Sequence, residues 1–299
     1  MQFQKIEYIE RKTGEKKTEK VPGEKFLKFL YYNPFGKLAL DILVKRKFLT
    51  AIYGKIMSTN YSKKNIKPFI ESLDIDMNES DTEIENFKNF NEFFYRKLKK
   101  SARPINYDEN VIISPADGKI LIYENISELN KFYIKGQEFS LKTFLDDEEL
   151  AKKYDGGIFA VVRLCPADYH RLHFVADGKI SESKLINGYY YSVSTHAIRK
   201  NFNIFLENKR EISILSTEKF GDIAMIEIAA TMVGGITQVC AKNSFVKKGE
   251  EKSYFSFGGS SIVLLFEKNR VIFDSDLIEN TKNNIETKIY MGEKIAYAK

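Results

Sequence analysis

Near residue 105 the chain changes its period, and that change limits the folds open to it. Before it, apolar residues recur at helical spacing: Phe26, Leu27 and Leu30, then Leu38, Ile42, Leu49, Ile52 and Ile56. Asn33-Pro34 and Gly36 punctuate this run into two short helices. Residues 62–100 continue as helix, loop and helix, with Phe90, Phe93, Phe94 and Leu98 on one face and Arg103-Pro104 as the stop. After it come β-branched runs bounded by Gly, Asp or Asn: VIISPADGKILIY, GIFAVVRL, AMIEIAATMVGGITQV and SIVLLFEKNRVIF. A helical insertion is expected around 140–153. The fold class is therefore α+β: N-terminal amphipathic helices over 1–105, then a β-rich domain over 106–299, mainly antiparallel and sandwich- or barrel-like.

Charge sharpens the reading of the first part. The net charge is +6, from 47 Lys+Arg against 41 Asp+Glu. Residues 21–60 hold Lys25, Lys28, Lys37, Lys45, Arg46, Lys47 and Lys55 against only Glu24 and Asp41. A basic amphipathic segment suits an anionic membrane surface, where each base contributes about 1 kcal/mol. It equally suits helices packed on the rest of the protein. No apolar run approaches the ~18 residues of a membrane span, and the charged N-terminus is not a signal peptide. Two cysteines, Cys165 and Cys240, do not make a disulfide framework and point to a reducing compartment. Arg is scarce among the bases and no recognition motif is present, so nucleic acid is not an expected partner.

The echo Ala116-Asp-Gly-Lys-Ile120 and Ala176-Asp-Gly-Lys-Ile180 reads as two Asp-Gly hairpin turns, with Gly at positive φ. Chemistry concentrates elsewhere. Of three histidines, His170 and His173 lie together in CPADYHRLH, after an apolar strand. Spaced three apart they suit one face of a metal site, but no further ligand lies nearby, and no metal is expected. In FSFGGSSIVLLFE, Gly258-Gly259-Ser260-Ser261 interrupts a strand. Such a run is ordinarily a turn or bulge, but it also leaves the carbonyl before Ser260 open to attack. Ser, a His pair and an Asp together suggest a nucleophile with its base. The G-x-S-x-G elbow is absent.

Five segments in order, FNEFFYRKLKKSARPI, SPADGKI, PADYHRLH, KKGEEKSYFSFGGSS and IVLLFE, resemble phosphatidylserine decarboxylase, a pyruvoyl-dependent proenzyme family. IKGQEFSL, Asn208-Lys-Arg210 and ATMVGGI add partial matches. The resemblance implies self-cleavage between Gly259 and Ser260, giving a β chain of residues 1–259 and an α chain of 260–299 that begins with a pyruvoyl group made from Ser260. It implies Asp117 as the partner of His173, His173 as general base for cleavage, and His170 as proton donor in turnover. The implied reaction is decarboxylation of phosphatidylserine to phosphatidylethanolamine through a Schiff base on the pyruvoyl, an electron sink of the same kind as pyridoxal phosphate. Ser261 is assigned to oxyanion support and Arg171 to the substrate anion. The implied partners are phosphatidylserine in a membrane and a heterodimer of the two chains, possibly dimerised again. The implied location is peripheral, on the cytoplasmic face of the cell membrane. Two departures stand out: the motif ends GSS where GST is commoner, and Phe174-Val175-Ala176 follows His173 where a proline is usual. Alternatives remain: a pyruvoyl enzyme for another amine-bearing substrate, a basic membrane-surface adaptor, or a biotinyl- or lipoyl-like module modified on Lys119 or Lys179.

Overall fold

A computed structural model describes residues 5–21, 23–33, 35–36, 47–126, 139–198, 201, 203–230, 235–258 and 260–299. Its centre is the strand Ser260–Phe266, buried at every residue. Antiparallel neighbours flank it, Gly221–Ala229 on one side and Ile158–Leu164 on the other. Because both faces of this strand are covered, SSIVLLF reads as a nearly continuous apolar run without alternation. These three strands lie at the middle of an eleven-stranded, mostly antiparallel sheet running from Phe245–Val246 at one edge to Glu15–Thr18 at the other. The α+β class with a β-rich remainder is what the sequence indicates, and the sheet does not close into a barrel.

Two three-stranded sheets complete the β structure. One holds Ile236–Gln238, Glu251–Phe255 and Arg171–His173; the other holds Val271–Phe273, Lys294–Ala298 and Val111–Ile113. The repeated ADGKI segments are not hairpins. Val111–Ile113 pairs with Lys294–Ala298, whereas Gly118–Tyr123 pairs with Ile158–Leu164 and Glu286–Ile289. The second copy likewise leads from Arg171–His173 in one sheet to Gly178–Ile180 in the central one. Each copy therefore carries the chain from a small sheet into the central sheet. Neither Gly118 nor Gly178 has positive φ. Their glycines serve close strand approach: a Cβ at Gly118 would meet Val162 Cγ1 at 2.6 Å, and one at Gly178 would meet the Ser216 carbonyl at 2.5 Å.

The N-terminal region is not helical from its start. Glu7–Glu10 and Glu15–Thr18 form a hairpin turned at Gly14, φ +72°, and its first strand joins the central sheet parallel to Glu286–Ile289. Helices follow at Glu24–Tyr32, Lys47–Met57 and Ile66–Leu73. Leu38 and Ile42 of the expected apolar run lie outside the described residues. The expected long helix through Leu98 is only the short Phe90–Phe94, and Leu98 instead makes a β-bridge to Ser80. The insertion expected near 140–153 is present as Leu141–Leu145 and Glu148–Lys153.

The helices bury a core of their own: Met57, Ile66, Phe87, Phe90, Phe93 and Phe94. Phe257 joins it from the other end of the sequence, edge-on to Phe90 at 4.8 Å and to Phe94 at 5.0 Å. Asn91 accepts the Phe257 N–H at 2.8 Å and donates to Ser58 Oγ at 2.8 Å. The segment that leads into Ser260 is thus fastened to the helical region.

Candidate active site

Ser260 opens the central strand opposite Ala229 and Leu164. Directly opposed residues project to one face of a sheet, and so do residues two apart. Ser260 therefore shares its face with Glu227. The Glu227 carboxylate accepts from Lys252 at 2.5 Å and Ser253 at 2.7 Å, both on the Glu251–Phe255 strand. That small sheet consequently covers the Ser260 face, with Glu251–Phe255 as its middle strand and Arg171–His173 at one edge. His170 immediately precedes that strand, and its carbonyl accepts the Phe255 N–H at 3.0 Å. Ser253 pairs with Leu172, so Leu172 and, two residues back, His170 lie on the side toward Ser260, whereas His173 takes the opposite face of the small sheet.

His170 is fully enclosed and packs on Phe94, ring centroids 3.9 Å apart. Its Nδ1 lies 2.8 Å from the Asp168 carbonyl. A carbonyl only accepts, so Nδ1 carries the proton and Nε2 the lone pair. Burial pushes the imidazole down to about 4, against the opposing pull of Asp168. Among the described residues Nε2 has no hydrogen-bond partner, and neither does Ser260 Oγ. The site therefore encloses an acceptor without a donor and a donor without an acceptor. Gly258, two residues before Ser260, has φ +142°, a conformation that side-chain-bearing residues avoid. Gly259 itself lies outside the described residues.

His173 is held differently. Its Nδ1 is 2.9 Å from the Gly249 carbonyl and its Nε2 is 3.0 Å from the Tyr169 hydroxyl. By the same logic Nδ1 donates, and the tyrosine O–H donates to Nε2. Burial lowers the pKa of His173, against the Gly249 bond, and burial raises that of Tyr169. Gly249 has φ +81°, and a Cβ there would meet Ile105 Cδ1 at 2.4 Å.

Asp117 does not orient the His173 ring. Its carboxylate takes Arg103 Nε at 2.9 and 3.0 Å, Arg103 Nη2 at 2.6 Å and the Met291 N–H at 2.9 Å. Arg103 also grips Glu79 through two bonds of 2.8 Å. Burial works against the guanidinium, yet bonds to Asp117 and Glu79 hold its pKa above the ordinary value. The link from this segment to His173 is backbone: the His173 N–H donates to the Pro115 carbonyl at 2.8 Å. The second copy's Asp177 is exposed and accepts the Lys248 N–H at 2.7 Å.

Arg171, expected at the substrate anion, is a brace. Nε donates to the Tyr95 carbonyl at 2.8 Å, Nη1 to Glu251, and the guanidinium lies 5.2 Å from the Tyr254 ring. Ser261 points to the opposite face of the sheet from Ser260, the face of Arg163 and Lys119, and its buried Oγ has no partner among the described residues. Lys119, a modification site in the module reading, is buried against Cys165 at 3.0 Å and Glu19 at 3.2 Å. Cys165 is buried, and burial pushes its thiol up to about 12 against the pull of Arg163 and Lys119. Asp168 fixes the loop before His170: it accepts the Cys165 N–H at 2.7 Å and pairs with Lys288 at 2.5 Å. Burial would raise its pKa, but Lys288 and Lys119 hold it well below the usual carboxylate range. Among the described residues no group of His, Cys, Asp and Glu is arranged to hold a metal ion.

Tyr169, Gly249, Asp168 and Arg103 are parts of this site that sequence reasoning did not single out. Each stands inside a quoted motif, so the signal was the neighbourhood and not the role.

The family model described as phosphatidylserine decarboxylase matches residues 90–297. A protein named phosphatidylserine decarboxylase proenzyme from Fusobacterium nucleatum subsp. nucleatum is 65% identical over 299 residues, covering 100% of both chains. Proteins of the same name from Clostridium perfringens (strain SM101) and Clostridium botulinum (strain Hall) are each 45% identical, over 292 and 294 residues. These alignments cover 98% of this chain in both cases, and 99% and 100% of the relatives.

Proposed function

The chain belongs to the phosphatidylserine decarboxylase family, and from that premise we propose that it cuts itself between Gly259 and Ser260 and then decarboxylates phosphatidylserine to phosphatidylethanolamine. The observation that carries the proposal is the enclosed, unpartnered Ser260 Oγ in one layer with the unpartnered His170 Nε2. Among the described residues Ser260 Oγ itself has no hydrogen bond to give up before it acts.

In the cutting reaction Ser260 Oγ attacks the Gly259 carbonyl carbon, the Gly259–Ser260 C–N bond breaks, and an ester replaces the amide. His173 is the proposed base for that attack. Its Nε2 lone pair faces the Tyr169 hydroxyl, so Tyr169 either relays the proton or turns away. Loss of the Ser260 Cα proton then expels the Gly259 carboxylate. Water adds to the resulting alkene nitrogen-bearing carbon and ammonia leaves, giving residues 1–259 and a pyruvoyl-headed 260–299. Asp117, clamped by Arg103, fixes the SPADG segment whose Pro115 carbonyl holds the His173 backbone.

A pyruvoyl group fits the space of the Ser260 residue it replaces, between Leu164 and Ala229. When present, such a group supplies a carbonyl that accepts the electrons released with carbon dioxide. The protein's own task is proton handling. A neutral His170, with Nδ1–H fixed on Asp168, enters as an acceptor: it takes a proton from the substrate ammonium. It then returns that proton to the substrate carbon after carbon dioxide has left.

The lipid is reached from the membrane surface, on the cytoplasmic face in our reading. What supports this is a set of exposed apolar side chains on the basic N-terminal region: Phe29 (43% exposed), Phe35 (78%), Ile52 (41%), Ile56 (46%) and Tyr61 (72%). Among the described residues no helix is long and apolar enough to cross a membrane. Release of carbon dioxide from phosphatidylserine vesicles, set against soluble serine, tests the substrate assignment. Turnover of serine with none of the lipid would contradict it.

A further inference from the structure

One buried cation beside the site pairs with no carboxylate among the described residues. Arg96 is 6% exposed. Its Nη2 reaches the Ala167 carbonyl only at 3.5 Å, the outer edge of a hydrogen bond. The guanidinium lies 5.1 Å from the Phe93 ring, and Nε has no partner among the described residues. The acids around it are committed elsewhere: Asp117 and Glu79 to Arg103, and Asp168 to Lys288. Taking a guanidinium out of water without pairing it costs several kcal/mol. Its contact with Ala167 sets Arg96 against the loop that ends at His170, and its charge acts on the His170 ring.

We infer that Arg96 is the headgroup anchor, receiving the phosphodiester of the substrate on its free donors while the amine is presented to residue 260. The inference rests on the decarboxylase reading above. Two anions of the substrate compete for the role. The carboxylate loses its charge as carbon dioxide leaves, so a guanidinium on it would favour the ground state over the transition state. The phosphodiester keeps its charge throughout, and the Arg fork matches its two oxygens. An anchor there binds ground and transition states alike and therefore acts on KM more than on kcat.

The test compares wild type, Arg96→Gln and Arg96→Lys for self-cutting and for steady-state decarboxylation of phosphatidylserine in detergent micelles. Both variants should cut. In Arg96→Gln KM should rise about 30-fold, as expected for a lost charge-assisted bond, with kcat within about threefold; Arg96→Lys should fall between. Glycerophosphoethanolamine, which has the phosphodiester but no carboxylate, should inhibit wild type competitively and leave Arg96→Gln unaffected. An unchanged KM, or a loss confined to kcat, would overturn the inference. If the variants do not fold or cut, wild-type protein decides: phenylglyoxal should modify Arg96, and glycerophosphoethanolamine should protect it where free serine does not. Absence of modification, absence of protection, or protection by serine instead overturns the anchor. Wild type that neither cuts nor decarboxylates is a failure of the underlying reading and is separable from these outcomes.

Discussion

His173 and His170 each carry their proton on Nδ1, and in each case a backbone carbonyl enforces it. Gly249 supplies one of those carbonyls from a backbone with φ +81°. Gly249→Ala should therefore slow self-cutting at least tenfold, read as the fraction of uncut chain over time, because the Cβ both strains the turn and collides with Ile105. Asp117 calls for a graded comparison. Asp117→Ala leaves Arg103 buried beside Glu79 alone and should cost about 3–5 kcal/mol in denaturant unfolding. Asp117→Asn keeps the shape and should cost less, and if it still impairs cutting the defect is not merely one of folding. For His170 the pH sign is definite. Its folded pKa, about 4, lies below the ordinary histidine value of 6.5, so the unfolded chain binds the extra proton. Stability is full above pH 6.5 and falls as the pH drops toward 4, by an amount on the order of 3 kcal/mol. Unfolding of uncut Ser260→Ala protein across this window should show that slope, and adding His170→Gln should reduce it, leaving the smaller contribution of His173. Asp117, His170, His173 and Ser260 stood out as candidates because their motifs are contiguous in sequence. The carbonyl that orients the His173 ring did not, since Gly249 meets His173 only through strand pairing between distant segments.

The element joining the helical region to the cutting segment is the one-turn helix Phe90–Phe94. Asn91 links the Lys47–Met57 helix to Phe257 through the Gly54 carbonyl, Ser58 and the Phe257 N–H. Asn91→Ala should cost about 1–3 kcal/mol by leaving buried groups unpaired and should slow cutting. Leu264→Ala, deep in the central strand and fully buried, should cost about 2–5 kcal/mol with a smaller effect on cutting per kcal/mol lost. Thermal melts in the Ser260→Ala background, paired with cutting time courses in the cleavable chain, separate the two effects. At this scale the sequence misled in instructive ways. Glu15–Thr18 is exposed at every residue, so no apolar alternation marked it as a strand. The ADGKI turns read as hairpins because Asp-Gly is a local signal, whereas switching between sheets is a long-range matter that local residues do not encode. Leu98 continued a helical spacing, but its bridge to Ser80 took the backbone out of the helix.

At the scale of the molecule, a β-rich body carries the candidate site, and the N-terminal region is basic and studded with exposed apolar side chains. Binding to vesicles with anionic lipid should weaken markedly as salt is raised, because the bases of residues 21–60 act through a screened field. Ile52→Asp with Ile56→Asp should weaken binding at every salt concentration while leaving self-cutting intact, measured by vesicle sedimentation. Both expectations concern delivery of the lipid; the central claim concerns the backbone itself. Purified protein, denatured and weighed by mass spectrometry, tests it most directly. The account predicts two species, residues 1–259 and a pyruvoyl-headed 260–299, with Ser260→Ala remaining one chain. A single wild-type species at the intact 34.6 kDa, stable over days, would contradict it.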